Sequence, residues 1–296
     1  MIHQLQLEHF TMNDENSARQ TLESWWDLGR TSSDANKLIV KFLEKNYRHA
    51  AFMSAADLAQ QIGVSQSSIT RFAIMLGFSG FSEWIREMQA VIRLELSATE
   101  RLWYAEHPSD DSGDRVLQSE QDNLARLVNI VSSDRFQAIA KELAFARRIV
   151  FVSARASATL LPYAHYFLGK VRPHVEMASI SDPLWDQLAS EDPSEVLIVV
   201  IAFPRYPRVL VDWISKMQAK GFHMAAITDR LTSPVIPLTD LSLIVPVTSV
   251  SLFDSYAAPV IVLNLLVRQV AALIPDTSEK RLEQLEAWDQ LQNVYV

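Results

Sequence analysis

The sequence predicts two domains of different class: an all-helical domain at the N-terminus, followed by a larger α/β domain with a doubly wound parallel sheet. Three observations predict this. Residues up to about 100 carry apolar side chains at helical spacing, the stretch 107–114 is rich in Pro, Gly, Ser and Asp, and short β-branched runs then alternate with helical segments. We therefore assign a helical domain with an N-terminal extension to 1–106, a linker to 107–114 and the α/β domain to 115–296.

Composition limits the chemistry of the chain. There is no cysteine among the 296 residues, which excludes disulfides, thiol catalysis and thiolate metal sites. The seven histidines have no metal-ligand spacing, so neither a metal nor a cofactor is expected. The N-terminus lacks a basic stretch followed by an apolar run, and the longest apolar stretch, 257–274, is interrupted by polar residues. We expect a cytoplasmic protein without a membrane partner.

Charge is distributed unevenly along the chain. The formal net charge is −8, but residues 31–101 hold eight basic and seven acidic side chains, so the excess of acid lies elsewhere. An acidic remainder repels DNA and weakens non-specific binding. If this chain binds nucleic acid, it needs at least two copies acting together.

Two short amphipathic helices are predicted on either side of a three-residue turn. In the first, Ser54 and Asp57 form a start resembling a capping box. The turn is 63–65, with Gly63 at its start and Ser65 as the N-cap of the second helix. This arrangement is typical of a helix-turn-helix, whose second helix enters the major groove of DNA. A preceding helix, with Leu38 among its predicted buried residues, completes a three-helix core.

The second helix has one apolar and one polar face. Its apolar positions follow the spacing of a single helix face, and they are Ile69, Phe72, Ala73 and Leu76; the opposite face carries Ser67, Thr70, Arg71 and Ile74, with Gln66 at the entrance. We predict groove contacts from Gln66, Ser67, Thr70 and Arg71, and phosphate contacts from Ser54, Ser65 and Ser68. The alternative is a plain helical bundle with a short turn, in which the outer face would more often carry Glu and Lys.

The second domain is predicted from five apolar runs separated by helices. The predicted strands are 148–153, 174–179, 196–203, 223–228 and 241–246, with helical spacing at 157–169 and 207–220 among the intervening segments. In such parallel sheets, ligands bind beyond the carboxyl ends of the strands. Any binding site is therefore expected in the loops that follow the strands.

At this point the chain resembles the RpiR family of bacterial transcription regulators. The segment FMSAADLAQQIGVSQSSITRFAIMLGFSGFSEW is similar to the family's helix-turn-helix, and ITDRLTSPVIPLTDLSLIVP is similar to its sugar-isomerase (SIS) domain. The resemblance covers residues 35 to about 275. It implies that the SIS domain senses a phosphorylated sugar or related metabolite, pairs with a second copy, and switches DNA binding.

Two loops depart from the family's pattern. After the first strand the family's glycines are replaced by Ser153 and Arg155, while its serine is kept as Ser157; after the third strand the loop reads AFPRYP. We predict that an anionic effector, either a sugar phosphate or a carboxylate, contacts Ser153, Arg155, Ser157, Arg205, Tyr206 and Arg208, because guanidinium groups pair with such anions. Alternatively, the arginines form salt bridges between domains or subunits, or are solvated beside a vestigial pocket. A further alternative is a regulator that has lost its ligand response and is held together by its C-terminal domain.

An enzyme is the less favoured interpretation. The SIS fold also hosts isomerases, which need a general base, and the candidates are Glu176, His165, His174 and His223. None of them belongs to a recognisable catalytic constellation, so we expect no catalytic residue. We expect instead a homodimer or tetramer, with helices at 257–274 and 281–291 as candidate contact surfaces, which binds a palindromic or repeated DNA operator. Burial in the core is an equal alternative for 257–274.

Overall fold

The computed structural model describes residues 22–95, 112–180, 182–249, 251 and 253–294. The chain divides into two compact units, Met1–Ser112 and Gly113–Val296. A helix begins at Ser112, so the last three residues of the predicted linker are helical, while 107–111 lie outside the described residues. The rest of the proposed domain division stays a prediction.

In the described residues of the first unit, 22–95, all the regular elements are helices, as predicted. Its helices are α1 (22–30), α2 (Asp34–Ala50), α3 (Ala55–Ile62), α4 (Gln66–Met75) and α5 (Phe81–Glu95). Serine hydroxyls cap three of them by accepting a main-chain N–H of the first turn: Ser33 caps α2, Ser54 caps α3 and Ser65 caps α4. Gly63, between α3 and α4, has a φ of +80°, a conformation that glycine adopts without steric cost. The three-residue turn is therefore encoded locally.

One apolar core holds these helices together. Phe72 of α4 and Trp84 of α5 are fully buried and meet edge to face, with ring centroids 5.4 Å apart. A Cβ atom at Gly29 would lie 2.3 Å from Val40 Cγ2, so only glycine lets α1 approach α2 this closely. Leu38 was expected on the buried side of α2, but it is 47% exposed because it lies at the edge of that face.

The second unit is an α/β domain with five parallel strands, and it confirms the predicted fold class. The strands are β1 (Arg148–Ser153), β2 (Val175–Ser179), β3 (Val196–Ile201), β4 (His223–Thr228) and β5 (Leu241–Ile244), in the order β2-β1-β3-β4-β5. The helices are α6 (Ser112–Val131), α7 (Asp134–Phe145), α8 (Leu161–Val171), α9 (Pro183–Gln187), α10 (Arg208–Ala219), α11 (Ala257–Leu273) and α12 (Pro275–Leu291). From β1 the chain adds β2 on one side, and β3, β4 and β5 then follow on the other side. Doubly wound sheets bind ligands at this switch point, between β1 and β3.

Helices cover both faces of the sheet. Alternate residues of each strand point to opposite sides: Phe151 and Val199 join the core formed with α7, α8 and α11, whereas Val150 and Val200 join the core formed with α9 and α10. Because both faces are buried, β3 is apolar throughout, and β1 is apolar between Arg148 and Ser153. The sheet therefore holds the loops at its carboxyl edge on a rigid base.

A buried arginine fixes the end of α7. Arg172 is 4% exposed, and its guanidinium donates hydrogen bonds to four main-chain carbonyls, those of Leu143, Ala146, Arg147 and Pro173. Carbonyls at a helix C-terminus have no partner within the helix, and this cation supplies one. Burial lowers the pKa of Arg172 below its usual value.

The last two helices differ in burial. α11 lies in the core through residues such as Val262, Leu266 and Val270, whereas Ser278 is the buried residue of α12. In the described part of the chain no single helix is long and apolar enough to cross a membrane; the pair α11 and α12, bent by 111°, passes that test by length and composition only. Both predicted contact surfaces have exposed residues: α11 exposes Ile261, Asn264 and Arg268, and α12 exposes Leu282, Trp288 and Leu291.

Candidate nucleic-acid interface and effector site

The N-terminus of α4 carries a cluster of hydroxyl groups. Ser65 Oγ accepts from the main-chain N–H of Ser68 at 3.2 Å, and it lies 2.8 Å from the hydroxyl oxygens of both Ser67 and Ser68. Ser65 and Ser67 are exposed, as predicted for groups that reach DNA, but Ser68 is only 8% exposed. The expectation that Ser68 donates to a phosphate does not fit this burial, because its hydroxyl already bonds within the helix.

The outward face of α4 presents mixed polar groups. Gln66 and Arg71 are exposed, and Thr70 is half-buried with its hydroxyl donating to Gln66 O at 3.4 Å. In the protein without DNA, Arg71 Nη2 donates to Ser68 Oγ at 3.1 Å. The guanidinium is thus held against its own helix, with other donors left for a base edge or phosphate.

Ser54 lies at the N-terminus of α3 and is exposed. Its hydroxyl accepts from Asp57 N at 3.1 Å and donates to Asp57 Oδ2 at 2.6 Å. The adjacent carboxylate repels a phosphate, so Ser54 is a weaker candidate for a backbone contact than Ser65.

Two arginines follow neighbouring strands at the carboxyl edge of the sheet. Arg155 follows β1 with a φ of +59°, and Arg205 follows β3 with a φ of +64°. Both residues are exposed. Left-handed backbone at a residue with a Cβ costs on the order of 1–3 kcal/mol, and such strain concentrates at functional sites. The loops therefore keep a backbone that suits glycine while displaying cations.

The two loop serines have internal roles. Ser153 is fully buried and its hydroxyl donates to Ile201 O at 2.6 Å; Ser157 is 5% exposed and accepts from Phe203 N at 3.1 Å. Both bonds join the β1 loop to the end of β3. The prediction that Ser153 contacts an effector does not fit, because the residue is buried and its hydroxyl already bonds inside the fold.

Tyr206 belongs to a buried network that the sequence analysis missed. It is 4% exposed, and its hydroxyl donates to Asp229 Oδ1. Arg230 Nε donates to Asp229 Oδ2 at 2.9 Å and to the Tyr206 hydroxyl oxygen at 3.3 Å. Burial, together with the negative charge of Asp229, raises the pKa of Tyr206 above its usual value. Tyr206 therefore supports the loop rather than facing a ligand.

Asp229 and Arg230 directly follow β4, the strand next to β3 in the sheet. Arg230 brings a third guanidinium to the carboxyl edge, and its position after a strand was the signal that could have identified it. Tyr256 adds an aromatic side chain, with its ring centroid 5.5 Å from that of Phe203. Arg208, in the first turn of α10, lies 3.4 Å from Asp212 Oδ2 in an exposed ion pair.

Three of the four candidate bases of an isomerase are not at this edge, and the fourth, His165, lies within α8. Glu176 and His223 lie near the amino ends of β2 and β4, and His174 precedes β2. The Glu176 carboxylate accepts two hydrogen bonds from Arg148, at 2.8 and 2.9 Å, which lower the pKa of Glu176. No group of three or more His, Asp or Glu that could hold a metal ion occurs among the described residues.

Comparison with known proteins matches each of the two units to a known domain family. A model of the rpiR-family helix-turn-helix domain matches residues 27–91, and a model of the SIS domain matches residues 142–268. Together the two matches cover nearly two thirds of the chain, in the order that the fold presents them. The chain belongs to the RpiR family. It is a helix-turn-helix transcription regulator with a SIS domain, which confirms the resemblance read from the sequence.

Two curated relatives carry regulator names. An uncharacterized HTH-type transcriptional regulator of Haemophilus influenzae is 24% identical over 195 residues, which are 64% of this chain and 67% of that protein. A second, from the aarA 3' region of Providencia stuartii, is 24% identical over 183 residues, which are 58% of this chain and 61% of that protein. The alignments thus span about two thirds of the relatives' own length.

Two solved structures have a similar fold. The sugar isomerase domain of an RpiR transcription factor from Sphaerobacter thermophilus covers 59% of this chain and 98% of its own, with a TM-score of 0.55 and 20% identity. The Vibrio vulnificus NanR protein complexed with ManNAc-6P covers 94% of this chain and 98% of its own, with a TM-score of 0.50 and 14% identity.

Proposed function

We propose that this RpiR-family chain binds a double-stranded DNA operator through the outward face of α4, and that a small anionic metabolite at the carboxyl edge of the sheet changes its affinity for that operator. The observation that carries the DNA half is a serine-capped helix, set on a three-residue turn, whose exposed face holds Gln66, Ser67 and Arg71. These side chains reach base edges and phosphates. A cytoplasmic location follows from this function.

The effector half is supported by the cations at the carboxyl edge. Arg155 and Arg205 are exposed on strained loops that follow β1 and β3. Arg230 follows β4, which is the next strand in the sheet after β3. Guanidinium groups bind phosphate and carboxylate through paired hydrogen bonds. The sugar phosphate ManNAc-6P, bound by the NanR protein of similar fold, belongs to the same chemical class. We therefore favour a phosphorylated sugar or a related carboxylate.

Self-association is part of the proposal. An acidic chain gains affinity for DNA when two reading helices act together, and a symmetric pair fits a palindromic or repeated operator. The exposed apolar residues of α6 and α12 are candidate contacts between copies, as dimer or tetramer; they are Leu117, Leu124, Val128, Leu282, Trp288 and Leu291. An effector that favours one arrangement of the pair by about 1–3 kcal/mol changes the affinity for the operator about 5- to 150-fold.

The test of the DNA half is selection from random double-stranded DNA. The full-length protein is expected to enrich a palindrome or a spaced repeat, and footprinting then locates it. Failure to enrich any sequence, with folded protein present, would refute the proposal.

The test of the effector half is calorimetry with phosphorylated sugars and organic acids, followed by footprinting with each ligand that binds. Arg205→Ala is expected to weaken binding of the ligand at least tenfold. Arg147→Ala is the matched control, because Arg147 is exposed at the amino edge of the sheet, where it pairs with Glu195. Equal affinity in the wild type and Arg205→Ala would remove Arg205 from the site.

A ligand-independent regulator is the second candidate. The observation that favours it is the set of hydrogen bonds by which the loops bind one another, through Ser153, Ser157 and Tyr206. If these hydrogen bonds leave no room for a ligand between the loops, the two copies of the chain would stay in one arrangement on the DNA. The two candidates predict different footprints: with ligand-independent regulation, protection of the operator is the same with and without every metabolite tested.

A further inference from the structure

Ile74 lies in the centre of the face that α4 turns away from its core. Residues seven apart on an α-helix differ by only about 20° in direction, so Ile74 and Ser67 lie on one line along the helix. Thr70 and Arg71 flank that line. The buried residues Ile69 and Phe72 point to the other side. Ile74 is 54% exposed, so the centre of an otherwise polar face is apolar.

Neither helix formation nor packing accounts for an isoleucine here. A β-branched side chain favours a helix less than Ala, Lys or Glu, and an exposed one gains little from burial. Lone exposed apolar residues are common on protein surfaces. This one is informative because of its place, one turn beyond Thr70 and Arg71 on the proposed reading face.

The major groove offers one apolar group to such a side chain. Among the four bases only thymine presents a methyl group there, and the other groups at base edges are hydrogen-bond donors and acceptors. Isoleucine has no hydrogen-bonding group in its side chain, so it cannot satisfy those donors and acceptors. Contact with a thymine methyl removes apolar surface of both partners from water.

We infer that Ile74 reads the 5-methyl group of a thymine and thereby selects that base at one position in each half-site. The inference rests on the proposed binding of DNA by α4. From Gln66 to Ile74 the helix rises about 12 Å, and base pairs are about 3.4 Å apart, which places this thymine within about four base pairs of the contact made by Gln66.

The experiment uses full-length protein and the DNA sequence enriched from the random library. Each thymine of one half-site is replaced in turn by deoxyuridine, which lacks only the methyl group, and the dissociation constant is measured. The same series is measured for Ile74→Ala and for Leu38→Ala. Leu38 is the matched control, because it is 47% exposed in the same unit but lies on α2.

The wild type is expected to bind about four-fold more weakly when one particular methyl is removed, the effect of losing about one buried carbon. Ile74→Ala should bind the thymine and deoxyuridine forms of that site equally, whereas Leu38→Ala should discriminate like the wild type. The inference is overturned if no single methyl matters to the wild type, or if Ile74→Ala keeps the discrimination. Loss of self-association in Ile74→Ala, measured by sedimentation, would also overturn it, since Ile74 would then contact a second copy. If the library yields no sequence, the DNA-binding proposal itself fails.

Discussion

Replacing Arg71 by alanine tests the base-reading role of α4 most directly. An arginine fork on a guanine is worth about 1–3 kcal/mol of discrimination. In the free protein the guanidinium bonds Ser68 Oγ at 3.1 Å, and releasing a bond of this kind costs about 0.5–1.5 kcal/mol. The net loss on Arg71→Ala is therefore about 0.5–1.5 kcal/mol, or about 2- to 13-fold in affinity. Because the side chain is exposed, stability should change by less than about 0.5 kcal/mol.

Fluorescence anisotropy of the selected DNA at several salt concentrations measures this loss, and thermal melting followed by circular dichroism checks the fold. Arg71→Lys is the matched variant, since it keeps the charge and loses the planar fork. If Arg71 reads a guanine, lysine restores little, and the defect is largest on the selected sequence. If Arg71 contacts a phosphate alone, the loss is equal on all sequences and the salt slope falls by about one. Unchanged affinity of Arg71→Ala at every salt concentration would refute the assignment of α4 as the reading helix.

Three further predictions concern the second unit. Arg205→Gly should raise thermal stability by about 0.5–1 kcal/mol, because glycine relieves the left-handed backbone, and should weaken effector binding like Arg205→Ala; a fall in the melting temperature would contradict the strain argument. Arg172→Met should destabilise the fold by about 3 kcal/mol in urea unfolding, because buried carbonyls at the end of α7 lose their donor; a change below about 1 kcal/mol would show that water replaces it. Glu176 has a lowered pKa in the folded state, so its contribution to stability is present above the unfolded pKa and is lost as pH falls through the folded pKa. In Glu176→Gln, the free energy of unfolding should therefore depend less on pH between neutral and acidic conditions. An unchanged pH dependence would exclude the Arg148–Glu176 pair as a source of acid sensitivity.

Signals within a few residues were sufficient to predict the start of α4 and the bounds of β1 and β4. The start of α4 after Ser65 follows from a hydroxyl that accepts a main-chain N–H within its own turn, and β1 and β4 were predicted with the bounds that the structure gives them. The ends of β3 and β5 were placed two residues too late. The apolar run continues past the last paired residue there, because the loops at the carboxyl edge are themselves buried.

The candidate effector site was harder to predict, because its residues meet through the sheet rather than along the chain. Ser153 and Tyr206 look like loop donors in the sequence, yet one bonds the end of β3 and the other bonds Asp229. Arg230 belongs with them only because β4 lies next to β3. Predicting these partners requires the register of the strands, which composition and spacing do not contain.

The sequence by itself determined the two fold classes, the capped helix pair and turn, and the polar character of the face that α4 turns outward. These features depend on periodicity and on hydrogen bonds within a few residues. Only the tertiary structure decided which polar groups remain accessible. Ser68, Ser153 and Tyr206 are buried by contacts with their surroundings, whereas Ile74 is left exposed at the centre of the reading face. The physical reason is that exposure depends on what packs against a side chain, and for most residues that is fixed by chain segments far away in sequence.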